Sequence, residues 1–219
     1  MRRAWVAAGL LLPALSLAAG EDPAEKMAEL ENRLLSARRV TIEARIESSG
    51  VVTSSLAGRT ELRDRNRASA AYTGTFAGKA VDAELQSDGR SLGLRQGGER
   101  RGEAGPAESN RALLIGLTRM GMLHNLARLS SLRAPDHADG GVEQWLRLDS
   151  FRPTTFAQSG DLEGLMSFGF ELVVAGVPSA SVRLWLDPAS GLPRRREQVV
   201  RFDAGEMTVV ERYTRFEVE

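Results

Sequence analysis

The 219-residue chain contains no cysteine. Neither a disulfide framework nor a lipid-modified N-terminal cysteine can therefore form, and stability has to come from an apolar core. An excess of one charge is also missing: Lys plus Arg and Asp plus Glu stand at 29 each. A nucleic-acid binder usually carries a basic surplus, so no nucleic-acid partner is expected. Histidine is scarce, and His124 and His137 lie in no spacing with acidic or other ligating residues that would make a metal set. There is no G-x-S-x-G elbow, no P-loop and no dinucleotide fingerprint. Gly89, Gly93, Gly97 and Gly98 lack the lysine and the strand-to-helix context those motifs need. The paired carboxylates in "ELRD" (61–64) and "DLEG" (161–164) have no acid-base partner and read as surface. No enzyme activity, cofactor or metal is expected.

Long apolar runs are confined to the start. Residues 1–20, MRRAWVAAGLLLPALSLAAG, place Arg2 and Arg3 before an apolar run from Ala4 to Leu17, then Ala18, Ala19 and Gly20. That is the basic, apolar, small-residue order of a secretory signal peptide, with cleavage after Ala18 or Gly20 both fitting. The run falls short of the roughly 20 residues of a spanning helix, and no later segment comes close. The expectation is an exported, periplasmic protein with no transmembrane segment in its mature chain, residues 21–219 forming one domain.

Asp22-Pro23-Ala24-Glu25 reads as a helix start, with Asp as N-cap, Pro at the first helical position and Glu25 placed for a capping box. Met27, Leu30, Leu34 and Ala37 follow at helical spacing. From Thr41 the period becomes two, with Ile42, Ala44 and Ile46 on one face, and short alternating runs follow near 56–63, 68–76 and 80–85. The stretch "LQSDGRSLGL" is an Asp-Gly hairpin signal. Residues 96–106 are rich in Gly, Glu and Arg and read as a loop.

Helical patterning returns after Glu108-Ser109-Asn110 with Leu113, Leu114, Leu117, Met120, Leu123, Leu126 and Leu129. Gly116 and Gly121 interrupt it, so one rod and two pieces are equally compatible. Its apolar stripe is either ordinary core or a lid that repacks around guests, for which methionine is suited. Strands are expected again at 142–149, 165–175, 180–186, 194–203 and 206–218, without helices between them, which argues for antiparallel connections.

The stretch "LWLDPASGLPRRRE" (184–197) joins a strand, an Asp-Pro-x-x-Gly turn and three arginines. Strand alternation puts Arg194 and Arg196 on one face and Arg195 on the other, so the three cannot form one clamp. The expectation is a solvated face, with Glu197 and, on the next strand, Glu211 and Arg212 in cross-strand ion pairs. The alternative places Arg194 and Arg196 at a barrel mouth, facing a lipid head group or an acidic partner.

The order of signal segment, amphipathic helix, meander with "SDGRSL" (87–92), apolar helical insert and closing "LWLDPASGLPRR" (184–195) resembles the bacterial outer-membrane lipoprotein carrier and receptor (LolA/LolB-like) superfamily, including the related lipid-sensing domains of anti-sigma regulators. The resemblance implies a mainly β, α+β fold: an antiparallel, incompletely closed β-barrel with an N-terminal helix and a helical lid insert. It implies an apolar cavity holding a lipid or the acyl chain of a lipoprotein, possible transport toward the outer membrane, and an arginine in an early strand that holds the lid. The nearest equivalents of that arginine here are Arg63 and Arg65. The cavity candidates are Ile42, Ile46, Leu117, Met120, Leu123, Phe168, Phe170, Leu172, Val182, Leu184 and Leu186. The other readings are an envelope-sensor module that uses the same surface for a membrane-anchored protein partner, and a structural β protein whose cavity is filled by its own side chains.

Overall fold

A computed structural model describes residues 21–104, 109–133, 139–155 and 162–219. The expected signal segment, residues 1–20, and His137 lie outside the described residues. The first helix, α1 (Pro23–Ser36), begins where the cap predicts: the Asp22 carboxylate accepts from the Ala24 N–H at 3.0 Å, and Pro23 opens the first turn. Its stripe of Met27, Leu30 and Leu34 is buried.

The strands β1 (Arg39–Gly50), β2 (Ser54–Arg63), β3 (Arg67–Phe76), β4 (Lys79–Asp88), β5 (Ser91–Gln96) and β6 (Glu99–Ala104) form one meander. After α2 (Ser109–Arg119), α3 (Met122–Ser130) and α4 (Val142–Trp145), a second meander follows: β7 (Leu146–Pro153), β8 (Met166–Val174), β9 (Val177–Leu186), β10 (Pro193–Phe202) and β11 (Gly205–Val218). The two join where β1 pairs with β11, giving a single antiparallel sheet of 11 strands in the order β6-β5-β4-β3-β2-β1-β11-β10-β9-β8-β7. Among the described residues β6 and β7 do not pair with each other, so the sheet does not close. The fold is mainly β with a few helices, as the layout implies.

Turn chemistry sets the register. At the β4–β5 hairpin the Asp88 carboxylate accepts from the N–H groups of Arg90 and Ser91, both at 2.8 Å, and Gly89 has φ of 96°. A Cβ at Gly89 would lie 2.2 Å from the Arg65 carbonyl oxygen, so glycine is required there by close approach as well as by backbone. The Asp187 carboxylate builds the β9–β10 turn in the same way, accepting from Ala189 and Ser190 at 3.1 and 2.8 Å.

Two expected elements differ. Residues 99–104 form a strand where a loop is expected, because β5 offers an open edge and the Gly97-Gly98 turn returns the chain along it. Residues 142–145 make one helical turn and the strand starts only at Leu146. The apolar insert is two helices broken at Gly121; Gly116 stays within α2.

One face of the sheet, the inner face, packs with the helices into a single core. It includes Ile42, Ile46, Phe168, Phe170, Leu184 and, from the helices, Leu34, Leu117 and Leu123.

Candidate functional site

The break between α2 and α3 is held by two charged side chains from the sheet. Arg196 of β10 and Glu211 of β11 are register partners on the inner face, 0% and 2% exposed. Arg196 donates from Nη1 to the Thr118 carbonyl at 2.8 Å and from Nη2 to the Arg119 carbonyl at 2.7 Å. Its Nε and Nη2 also donate to Gln198 Oε1 at 3.1 and 3.0 Å, and its guanidinium stands 5.6 Å from the centre of the Phe170 ring. Glu211 Oε1 accepts from the Leu123 N–H at 2.9 Å, and its Oε2 accepts from the Tyr213 hydroxyl at 2.5 Å.

A cation thus satisfies the last carbonyls of α2 and an anion the N–H of Leu123 in the first turn of α3. Both charges have the sign that the helix dipoles favour. The backbone at Gly121 passes so close that a Cβ there would lie 2.8 Å from Glu211 Oε1 and 3.0 Å from Arg196 Nε. Burial pulls the Arg196 guanidinium below its ordinary value, against the opposing influence of Glu211 and Tyr213. Burial, and then Glu211, hold the Tyr213 hydroxyl well above its usual value, so it remains a donor.

This corrects the solvated-face expectation for the arginines after the turn. A bulge between Pro193 and Arg195 breaks the simple alternation there. Arg194 lies outside, 52% exposed near Asp187, and Arg195 pairs with Glu197, while Arg196 is wholly buried. Of the expected cross-strand pairs, Arg212 instead reaches Glu47 on β1 at 2.7 Å.

Among the described residues no side-chain hydrogen bond runs from Arg63 or Arg65 to the insert. Arg63 is 48% exposed and bound to Glu61, and Arg65 and Asn66 occupy the β2–β3 turn with φ of 57° and 60°. That turn still touches the insert. The Asn110 amide donates to the carbonyls of Arg63 and Arg67 at 2.7 and 3.0 Å, and the Asn110 N–H donates to Asn66 Oδ1 at 3.1 Å. A second buried pair fixes α1 to α2. Arg119 donates from Nε and Nη2 to the two oxygens of Glu31, each at 2.9 Å, and Thr118 Oγ1 donates to Glu31 Oε1 at 3.0 Å.

Two apolar cavities flank α3. The smaller, about 160 Å³, lies between α3 and β2–β5 and is lined by Leu56, Ala70, Tyr72, Leu85, Leu94 and Leu129 among others. The larger, about 510 Å³, lies between α3 and the β8–β11 side, with Leu172, Val174, Val200, Met207 and Val209 in its wall. Phe76, Leu123 and Ala127 line both. Phe76 and Phe202 are 36% and 49% exposed, so the larger cavity opens at the hairpin ends where they stand. Its volume falls within the range of about 300–1,000 Å³ of small-molecule sites.

Of the cavity candidates read from sequence, Met120, Leu123 and Leu172 line the larger cavity. Ile42, Ile46, Leu117, Phe168, Phe170, Val182, Leu184 and Leu186 are buried in the shared core and line neither cavity. The residues that sequence reasoning missed come largely from β2–β5 and from β10–β11, whose alternation was visible but carried no sign of where packing would be incomplete. His124 also lines the larger cavity, and no cluster of potential metal ligands exists among the described residues.

Fold and site together define a class: an open antiparallel sheet whose inner face is plugged by helices over an apolar cavity. No family model and no curated protein matches the chain. Among solved structures it is similar to a LolA superfamily protein from Nitrosomonas europaea, at 10% identity over 89% of this chain and 92% of that one, with a TM-score of 0.38. It is similar to LprF from Mycobacterium bovis at 10% identity, over 89% and 92% of the two chains, TM-score 0.41. A third is a chain of the MucA/MucB complex of Pseudomonas aeruginosa, at 14% identity and TM-score 0.37, where the match covers 90% of this chain and 56% of that one.

Proposed function

We propose that this chain is an exported, periplasmic binding protein, not an enzyme, that holds the acyl chain of a lipid or lipoprotein in the apolar space beneath α3. The observation that carries the reading is the pair of cavities on either side of α3. A helix used only as core would pack its apolar stripe without gaps, since protein interiors leave few voids larger than a water molecule. Here Leu123 and Ala127 border open apolar space on both flanks. A guest entering at Phe76 and Phe202 would gain about 25 cal/mol per Å² of apolar surface buried, less the cost of ordering both partners.

The export half of the reading rests on the order of residues 1–20, with Arg2 and Arg3 ahead of the apolar run. Among the described residues no helix is long and apolar enough to cross a membrane. The test is native mass spectrometry of protein recovered from a bacterial periplasm, beside solvent extraction of what accompanies it. A discrete added mass equal to a phospholipid, fatty acid or acylated peptide is the expected result. A bare polypeptide mass, with no uptake of an added apolar dye, would overturn it.

A further inference from the structure

Gln198 is a polar side chain set into an otherwise apolar wall. It lies on the inner face of β10, is 6% exposed, and lines the larger cavity beside Leu172, Val200 and Val209. Its Oε1 is engaged twice by Arg196, at 3.1 and 3.0 Å. A guanidinium only donates, so these two bonds fix the amide orientation: the oxygen faces Arg196 and the Nε2 amino group is the free end. That amino group carries two N–H donors, and it has no hydrogen-bond partner among the described residues. The nearby Glu211 carboxylate accepts from the Leu123 N–H and from Tyr213, and makes no hydrogen bond with Gln198.

We infer that the cavity selects a guest whose hydrocarbon is joined to a neutral carbonyl, an ester- or amide-linked acyl chain, and that Gln198 Nε2 donates to that carbonyl oxygen. This rests on the proposed acyl-binding function and specifies its chemistry. A plain hydrocarbon would cover the donors of Gln198 without meeting them. An ionised carboxylate at the same depth would meet Glu211, which lines the same cavity. Arg201 also lines it, but at 45% exposure and engaged by Ser181 and Glu206, it belongs to the opening and not to the depth of Gln198. An ester or amide oxygen is the acceptor that fits: uncharged, joined directly to the chain, and able to take the donor.

The experiment compares two soluble lipids that differ only at the carbonyl, 1-palmitoyl-lysophosphatidylcholine (ester) and 1-O-hexadecyl-lysophosphatidylcholine (ether), each displacing N-phenyl-1-naphthylamine from the full-length mature protein. The ester is expected to bind about three- to tenfold more tightly, the worth of one net hydrogen bond. Gln198→Glu keeps an oxygen for Arg196 and removes the donor. It is expected to bring the ester and ether affinities to the same value. Equal affinity of the wild-type protein for the two lipids, with naphthylamine bound, would overturn the inference and leave the acyl-binding function standing; so would an ester preference that survives in Q198E. Failure of the dye and both lipids to bind would overturn both. The wild-type comparison decides the question even if the variant does not fold.

Discussion

Replacing Arg196 by methionine removes the sheet side chain that donates to the last carbonyls of α2. Arg196 has no exposed surface and donates to two helix-terminal carbonyls and to Gln198. Methionine fills a similar volume, so the loss is chiefly electrostatic. The carbonyls of Thr118 and Arg119 lose their donor inside the protein, and Glu211, 2% exposed, loses the opposite charge that faces it in register. Stranding a buried charge by removing the opposite charge near it costs up to about 3–5 kcal/mol. In a domain of this size that lowers the melting temperature by about 6–20 °C.

Urea unfolding of wild type and R196M, followed by circular dichroism with the slope m held common, measures the difference. The R196M/E211Q double variant then separates the pair from its surroundings. Glu211→Gln still offers an oxygen to the Leu123 N–H but no stranded charge, so the double loss should fall short of the summed single losses by about 1–3 kcal/mol. An R196M cost below about 1 kcal/mol, well under the range for a buried pair, would refute the reasoning. Strict additivity in the cycle would do the same.

Gly121→Ala should destabilise by more than about 2 kcal/mol, since φ of 92° there favours glycine and the new Cβ would press on Glu211 and Arg196; thermal unfolding beside Gly97→Ala, whose Cβ would meet nothing within 4 Å, separates crowding from backbone strain. Glu31→Ala should cost about 3–5 kcal/mol by stranding buried Arg119, and faster amide exchange should appear first in α1 and α2. The Asp187 carboxyl is held below the usual carboxylate range, first by the Ser190 N–H. Its contribution is therefore present above its ordinary value of 3.8 and is lost as pH falls through the lower folded value; Asp187→Asn should lower stability at neutral pH, and its difference from wild type should shrink as pH falls through that folded value.

Much of the fold was legible because its turns use local chemistry. Asp88-Gly89 and Asp187 to Gly191 stop and reverse strands through side-chain and backbone bonds spanning two to four residues. β6 was not legible, because "ERRGEA" has no apolar alternation and exists as a strand only through pairing with β5. The site was harder. Period-two patterning assigns residues to opposite faces without saying which face will be covered. Arg196 and Arg194 therefore looked alike until the bulge and the helices separated them. The partners of Arg196 are the carbonyls of residues 77 and 78 positions earlier, and no local pattern announces them. The same limit explains why apolar candidates such as Phe168 and Leu184 proved to be packed core. A cavity is defined by where packing stops, a property of the assembled elements.

The central claim is that the space beneath α3 accepts an apolar guest, and titration of N-phenyl-1-naphthylamine into wild type and Val200→Trp tests it most directly. Val200 lines the larger cavity, and tryptophan there should occupy it. Saturable fluorescence enhancement in the wild-type protein, lost in the folded V200W variant, is the predicted result. No saturable binding, or binding unchanged when the cavity is filled, would contradict it.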